Sequence, residues 1–426
     1  MRLSQLFTKT LRESPKDEES VNAKLLIRGG FVAKNSAGVY TFLPLGWRVI
    51  EKIINIIREE MDAIAGQGIF MPAMVEKKYW SATGRWDVEI GYEVRGKKDK
   101  ESNFVLGWSH EDILASMAAK FINSYKDLPR AVYQIQTKFR NEPRAKSGLL
   151  RGREFLMKDL YSFHESEKDL FRYYDAVKEA YFKIFERCGL KAVYTLAGGG
   201  PFTMSNTHEF QVLADVGEDT IFVCGPPAGG CGYAENSEIS KLKNGAKCPE
   251  CGGRIEEKKS IEVGNIFPLG TKYSEAFGLR YLAKDGGQKH VVMGSYGIGI
   301  SRLMGTIVEI HNDGIGILWP ENAAPFKVHL IVLDHRNQEA TAPERSSVRG
   351  TADNVYEELL KAKVEVLYDD RVVQSPGEKF ADADLIGCPV RMVVSEKTLK
   401  KDSVEIKKRG KSETVLIKAE KLKEYV

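Results

Sequence analysis

No run of about eighteen apolar residues occurs anywhere in the chain, so an ordinary membrane-spanning helix is not expected. The N-terminus, Met1-Arg2-Leu3-Ser4-Gln5-Leu6-Phe7, opens no long apolar stretch; an export signal is therefore not expected, and the chain reads as cytoplasmic. An excess of one charge is also missing. The 63 Lys and Arg nearly balance 59 Asp and Glu, and the net +4 neither demands nucleic acid nor excludes it, so clustering has to decide. Only six cysteines are present, too few for a disulfide scaffold in a chain of 426 residues. There is no internal repeat. What remains is 42% hydrophobic and 29% charged, the balance of a globular protein long enough for two or three domains.

Ile50, Ile53, Ile54, Ile57, Met61 and Ile64 recur at helical spacing and predict an amphipathic helix over 47–65, ended by Gly66-Gln67-Gly68. A short apolar strand ending at Pro72 follows. Residues 131–139 and 153–163 read as strands joined by a basic loop, a long antiparallel hairpin. A charged helix is expected over 165–188, then a strand over 289–300 entering a glycine-rich turn, with a helix from Ser301 to Ile310. The simplest assembly is an antiparallel sheet flanked by helices. Composition changes after Pro320-Glu321-Asn322-Ala323-Ala324-Pro325. Strands at 327–333, 364–369 and 390–395 then alternate with helices at 351–363 and 377–386, which indicates a small, largely parallel α/β domain. Residues 336–350 are polar and read as a mobile loop.

Three segments carry chemistry. Strand alternation would set Arg140 and Glu142 on one face, where a guanidinium grips a phosphate or carboxylate and a carboxylate accepts from an amine. Taken alone, such a pair is more often a surface ion pair. Arg151, Phe155 and Asp159 are separated by even intervals and would share a strand face; Phe155 alone would pass for a core aromatic. Gly297-Ile298-Gly299 allows close backbone approach, and Arg302 sits in the first turn of the helix behind it. The third glycine of a dinucleotide fingerprint is missing there.

In that order the segments resemble motifs 2 and 3 of class II aminoacyl-tRNA synthetases. Along the chain the similarity is to bacterial-type prolyl-tRNA synthetases. It runs through Gly38-Val39-Tyr40-Thr41-Phe42-Leu43-Pro44, the strand ending at Pro72 (resembling motif 1), and Ser109-His110-Glu111. It continues through Gln134-Ile135-Gln136-Thr137-Lys138-Phe139-Arg140, His208-Glu209-Phe210, Val263-Gly264-Asn265-Ile266-Phe267 and the tail with Asp369-Asp370-Arg371.

The resemblance implies an α+β catalytic domain in two parts, 1–223 and 260–324, a short insert at 224–259, and an anticodon-binding domain at 325–426. It implies a homodimer that uses ATP with Mg2+, L-proline and tRNA(Pro), with no membrane partner. Arg140, Glu142 and Arg302 would act in catalysis; Arg140, Glu142, Arg151, Phe155, Gln211, Gly299 and Arg302 would bind ATP. Ser109, Glu111, Arg140, His208 and Ser295 would bind proline, with Glu111 meeting the secondary ammonium, and Arg144 would reach the tRNA acceptor stem. A tRNA-sensing paralogue without catalysis, and a relative specific for threonine or serine, are the rival readings.

The chain departs from that pattern twice. The family's usual Gly-Pro-Thr-His-Glu-Glu is here Gly107-Trp108-Ser109-His110-Glu111-Asp112, and the large Trp108 is expected to reshape the pocket rim. Only Cys224 to Lys259 stands where bacterial members carry a long editing insertion, so editing by this chain is not expected. Within that segment Cys224, Cys231, Cys248 and Cys251 suggest structural Zn2+, the second pair resembling a zinc knuckle; free thiols on a vestigial knuckle are the alternative. Arg95-Gly96-Lys97-Lys98 and Lys407-Lys408-Arg409-Gly410-Lys411 touch tRNA phosphates or are solvated hairpin tips.

Overall fold

The computed structural model describes all residues except 201, 204, 226–229, 335–346, 419–420, 423–424 and 426. Most of the polar loop expected at 336–350 thus lies outside the described residues. The chain forms two compact units. One comprises Asn35–Tyr40 and Ile53–Thr306, the other Met1–Lys34, Thr41–Lys52 and Ile307–Val426.

The first unit is built on a nine-stranded sheet. Its strands are β1 (Gln67–Gly68), β2 (Arg130–Phe139), β3 (Glu154–His164), β4 (Ala192–Ala197), β5 (Thr207–Leu213), β6 (Asp219–Cys224), β7 (Ala234–Asn236), β8 (Ile255–Gly270) and β9 (Val292–Gly299). They lie in the order β5-β4-β7-β6-β8-β9-β3-β2-β1, and the central pairs are antiparallel. The expected strand before Pro72 shrinks to the two residues of β1, which pair in parallel with β2.

Helix α1 (Pro44–Ala63) ends where Ala65 turns left-handed at φ 62° and the Gly66 N–H donates to Met61 O. α2 (Lys77–Ala82) and α3 (Glu111–Ala118) are short. α4 (Glu167–Arg187) begins at Ser166, whose hydroxyl accepts from the Asp169 N–H, and two acids in its first turn suit the helix dipole. Its buried stripe, Leu170, Tyr174, Val177, Tyr181 and Ile184, packs on β3, β8 and β9.

The glycine-rich turn expected before the helix at 301–310 is absent. Gly297 and Gly299 lie within β9, opposite Asp159 and Met157 of β3, and the strand runs straight into α5 (Ile300–Ile310). A side chain at 297 would lie 2.9 Å from the Asn265 amide oxygen, so glycine keeps this stretch of sheet open to a ligand.

In the second unit a five-stranded sheet comprises β10 (Val328–Leu333), β11 (Val366–Asp369), β12 (Val390–Ser395), β13 (Val404–Lys408) and β14 (Thr414–Ile417), in the order β11-β10-β12-β13-β14. The first three are parallel, as the alternation of strands and helices implied, and the last two form an antiparallel extension. α6 (Ser347–Lys361) packs on it, and α7 (Pro376–Ile386) starts with a full capping box between Ser375 and Glu378. Val328, Leu330, Val355, Val390 and Met392 form the core here; Leu114, Tyr161, Phe163, Tyr273 and Met293 form one in the first unit.

Candidate active site

β3 turns Phe155, Met157 and Asp159 to one face of the central sheet and buries Lys158 on the other, where its Nζ donates to the Tyr181 hydroxyl at 2.5 Å. Register places Gln134, Asp159, Gly297 and Asn265 in one row across β2, β3, β9 and β8. Two adjoining spaces lie along this face. A narrow cleft is lined by Glu142, Gly152, Phe155, Glu262, Gly299 and Arg302 among others. A cavity of about 290 Å3 is lined by Ser109, Glu111, Lys138, Phe202, Phe267 and Ser295 among others. Arg140, Met157, Asn265 and Gly297 belong to both linings.

Arg140 and Glu142 do not share a strand face. β2 ends at Phe139; the Arg140 N–H still donates to Arg153 O at 2.8 Å, but the Asn141 N–H turns away to Ile90 O. A tight turn follows, in which the Glu142 N–H donates to Arg140 O at 2.7 Å, and both side chains still reach the cleft. Arg151 also lies outside β3. It bridges Glu142 at 2.7 Å and Glu218 at 2.5 Å, holding the Glu142 carboxylate from the side.

The Arg140 guanidinium carbon lies 5.3 Å from the centre of the Phe155 ring. Its Nη2 reaches Trp108 O at 3.5 Å, and its buried Nε has no partner among the described residues. Burial, then the nearby Arg302, disfavour its charge; Glu262, Glu142 and Glu111 favour it. Arg302 donates to Leu150 O at 2.8 Å and to the Glu262 carboxylate at 2.9 Å. Two guanidiniums converging with a buried donor to spare make an anion site.

Along the wider cavity, Trp108 and Ser109 lead through His110 into Glu111 and Asp112 at the start of α3. A side chain at Gly107 would lie 2.7 Å from the His110 ring, so only glycine lets that ring turn inward. There Lys138 Nζ donates to His110 Nδ1 at 2.8 Å, which leaves the ring proton on Nε2, facing Pro72 O at 3.1 Å. Burial, reinforced by the Lys138 ammonium, lowers His110 to about 4, so it is neutral. Lys138 also pairs with Asp159 at 2.8 Å, and Asp159 accepts from Tyr161 and Gln134. Ser295 donates to Glu111 at 3.0 Å. Trp108 stands in the cavity wall, stacked on Trp80 with ring centres 5.0 Å apart.

Ser109, Glu111, Arg140 and Ser295 therefore meet in one cavity, and Arg140, Glu142, Phe155, Gly299 and Arg302 in the cleft beside it. His208 lines neither. It stacks on Tyr194 at 4.2 Å and hydrogen-bonds the Tyr174 hydroxyl at 2.9 Å. Gln211 is buried nearby, its amide donating to Glu209 at 2.9 Å and Asp219 at 3.0 Å. Burial and the neighbouring Glu262 carboxylate push Glu209 up. Arg144 is exposed in the loop after β2. Lys138, Asp159, Asn265, Phe202 and Glu262 also line the two spaces, though the sequence reading gave them no role there. The strand-face argument came close only at Asp159.

The four cysteines of the insert converge. Their Sγ atoms all lie within 4.8 Å of one another, with Cys224 and Cys251 3.4 Å apart and Cys231 and Cys248 3.6 Å apart. Thiolates on a tetrahedral ion at about 2.3 Å stand roughly 3.8 Å from each other, so the group fits one metal ion.

Residues 92–311 match the family described as "tRNA synthetase class II core domain (G, H, P, S and T)", and residues 327–426 match "Anticodon binding domain". The proline–tRNA ligase of Coprothermobacter proteolyticus is 33% identical, over 98% of this chain and 97% of its own length. The chain belongs to the prolyl-tRNA synthetase family. A second member, from Geobacillus kaustophilus, is 34% identical over 97% of both chains. Those alignments run over 561 and 560 residues, against 426 in this chain, so these prolyl-tRNA synthetases carry segments missing here. Among solved structures, the prolyl-tRNA synthetase of Cryptosporidium parvum complexed with halofuginone and AMPPNP superposes with a TM-score of 0.77 at 20% identity, covering 95% of this chain and 75% of that one. The Giardia lamblia enzyme in complex with prolyl-adenylate gives 0.76 at 20% identity, with 94% and 73% covered. At that identity these two establish the class II fold with its C-terminal anticodon-binding domain. Among the described residues no helix is long and apolar enough to cross a membrane.

Proposed function

We propose that this chain activates L-proline with ATP and transfers it to tRNA(Pro). The observation that carries this reading is Arg140, shared by the narrow cleft and the wider cavity beside it. A carboxylate held there lies beside an α-phosphate held by the same guanidinium. The carboxylate oxygen attacks the α-phosphorus, the bond to the β-phosphate oxygen breaks, and pyrophosphate leaves. No general base is needed, since the nucleophile is already an anion; positioning and charge neutralisation do the work. Phe155 stacks on adenine, Glu142 accepts from its amine or orders the tRNA 3′ end, and Arg302 holds the distal phosphates, which arrive with Mg2+. Gly299 leaves room beside them, and Arg151 acts through Glu142.

Glu111 receives the secondary ammonium, with Ser109 and Ser295 beside it. His208 and Gln211 serve the site from behind. A ribose hydroxyl at the tRNA 3′ end then attacks the prolyl carbonyl and AMP leaves, with Arg144 on the acceptor stem and residues 325–426 on the anticodon. The working form is a cytoplasmic homodimer. The catalytic domain spans 1–223 and 260–324, and the insert at 224–259 is held by structural Zn2+ on its four cysteines. The chain carries no editing module of its own, so it does not itself clear alanyl-tRNA(Pro), which it makes in error because a small apolar pocket discriminates weakly between small side chains. Rapid hydrolysis of alanyl-tRNA(Pro) by the pure protein would sink that last point.

Amino-acid-dependent exchange of pyrophosphate into ATP tests the main reading. Exchange with proline well above threonine and serine supports it. No exchange with any amino acid points to a tRNA-sensing paralogue instead.

A further inference from the structure

Arg85 lies in the turn after α2, where its N–H donates to Trp80 O at 2.8 Å, and its side chain is 3% exposed. It is not in the cavity wall, yet it touches the polar side chains of Ser109, Glu111 and Asp112. Nη2 donates to Ser109 Oγ at 2.6 Å, and Nη1 meets Asp112 at 2.5 Å and Glu111 at 3.4 Å. Its guanidinium carbon lies 4.1 Å from the centre of the Trp108 ring and 5.1 Å from that of Phe202.

This arrangement has a physical logic. Glu111 and Asp112 are adjacent and buried, and two such carboxylates cannot both stay ionised without a shared cation. A guanidinium serves both from one nitrogen, keeps the other for Ser109, and lays its flat face on an indole; an ammonium cannot do all three. With Arg85 occupying the acceptor side of Ser109, the Ser109 O–H is left to donate. With Arg85 on Oε2 of Glu111 and Ser295 on Oε1, the carboxylate is held from both ends.

We propose that Arg85 is a positioning residue that sets amino-acid specificity, holding Glu111 and Ser109 where a ring-nitrogen ammonium meets them. Trp108 is the platform that keeps its guanidinium level. The inference rests on the reading of this cavity as the proline site. Asp112 does not face the ligand; it anchors Arg85 from behind, with Thr83 donating to it.

The test compares the full-length wild type with Arg85→Gln, Arg85→Lys and Trp108→Leu in proline-dependent pyrophosphate exchange, with the KM for ATP as control. Arg85→Gln is expected to raise the KM for proline about tenfold or more while the KM for ATP stays within about twofold. Arg85→Lys, which keeps the charge and loses the fork, recovers only part of that loss. An unchanged KM for proline in Arg85→Gln overturns the proposal. So does a parallel rise in both KM values, which marks general damage. If Arg85→Gln fails to fold, Trp108→Leu decides: a rise of about threefold or more in the KM for proline alone supports the proposal, and no rise overturns it. A wild type that exchanges with another amino acid and not with proline overturns the functional reading and this inference together, and the wild-type control separates that case from a failure of Arg85 alone.

Discussion

Ser295 donates its hydroxyl to Glu111 at 3.0 Å, across 184 residues of chain. One partner lies on β9 and the other opens α3, so the bond ties β9 to the start of that helix. It also fixes the Glu111 carboxylate in the wall of the wider cavity, where a secondary ammonium would meet it.

Removing that charge isolates its role. Glu111→Gln keeps the side-chain shape and can keep the Ser295 contact, but gives up the charge that faces Arg85 at 3.4 Å. The KM for proline is expected to rise about ten- to a hundredfold with the KM for ATP unchanged, since no carboxylate is left to meet the ammonium. Steady-state exchange kinetics with each substrate varied in turn checks this.

The cleft behaves differently. Arg140→Ala and Arg302→Ala remove donors aimed at developing negative charge, and each is expected to lower kcat/KM for exchange about 10²- to 10³-fold. Arg140→Ala should weaken both substrates, because Arg140 lines both spaces; Arg302→Ala should weaken ATP alone. Equal effects on proline from the two variants would contradict the division.

The hairpin of β2 and β3, helix α4 and the alternating C-terminal elements were legible in the sequence because each has a strong local period. Arg140, Phe155 and Arg302 were legible through motif order. The strand-face argument for Arg140 and Glu142 failed at a tight turn, and the glycine turn at 297 proved to be plain strand, since glycine serves ligand access there as readily as a bend. Arg85 was invisible. Nothing in the turn after α2 says that its arginine reaches Ser109, 24 residues on. Buried polar networks are made by tertiary contact, and local periodicity carries no trace of them.

The cysteine cluster makes its own forecast. Elemental analysis of protein purified without chelator is expected to find about one zinc per chain. Cys248→Ser should lose it and lower the melting temperature by about 5 °C or more, because metal binding contributes directly to folding. Full occupancy of the variant, or none in the wild type, would leave the cysteines as thiols.

His329 in β10 is buried, and neither ring nitrogen has a partner among the described residues. Burial lowers it to about 4 from its ordinary 6.5. The unfolded chain takes up a proton first as pH falls, so stability is complete above about pH 6.5 and declines toward pH 4. His329→Leu removes that decline. Between pH 7 and pH 5 the stability of the variant relative to wild type is expected to improve by about 2 kcal/mol, read from urea titrations at both values.

A crystal of the full-length chain grown with proline and a non-hydrolysable ATP analogue tests the central claim most directly. The expected result places the triphosphate between Arg140 and Arg302, adenine against Phe155, and the proline carboxylate beside Arg140 with its nitrogen on Glu111. Nucleotide bound elsewhere, with the two guanidiniums turned apart and nothing between them, would contradict the account.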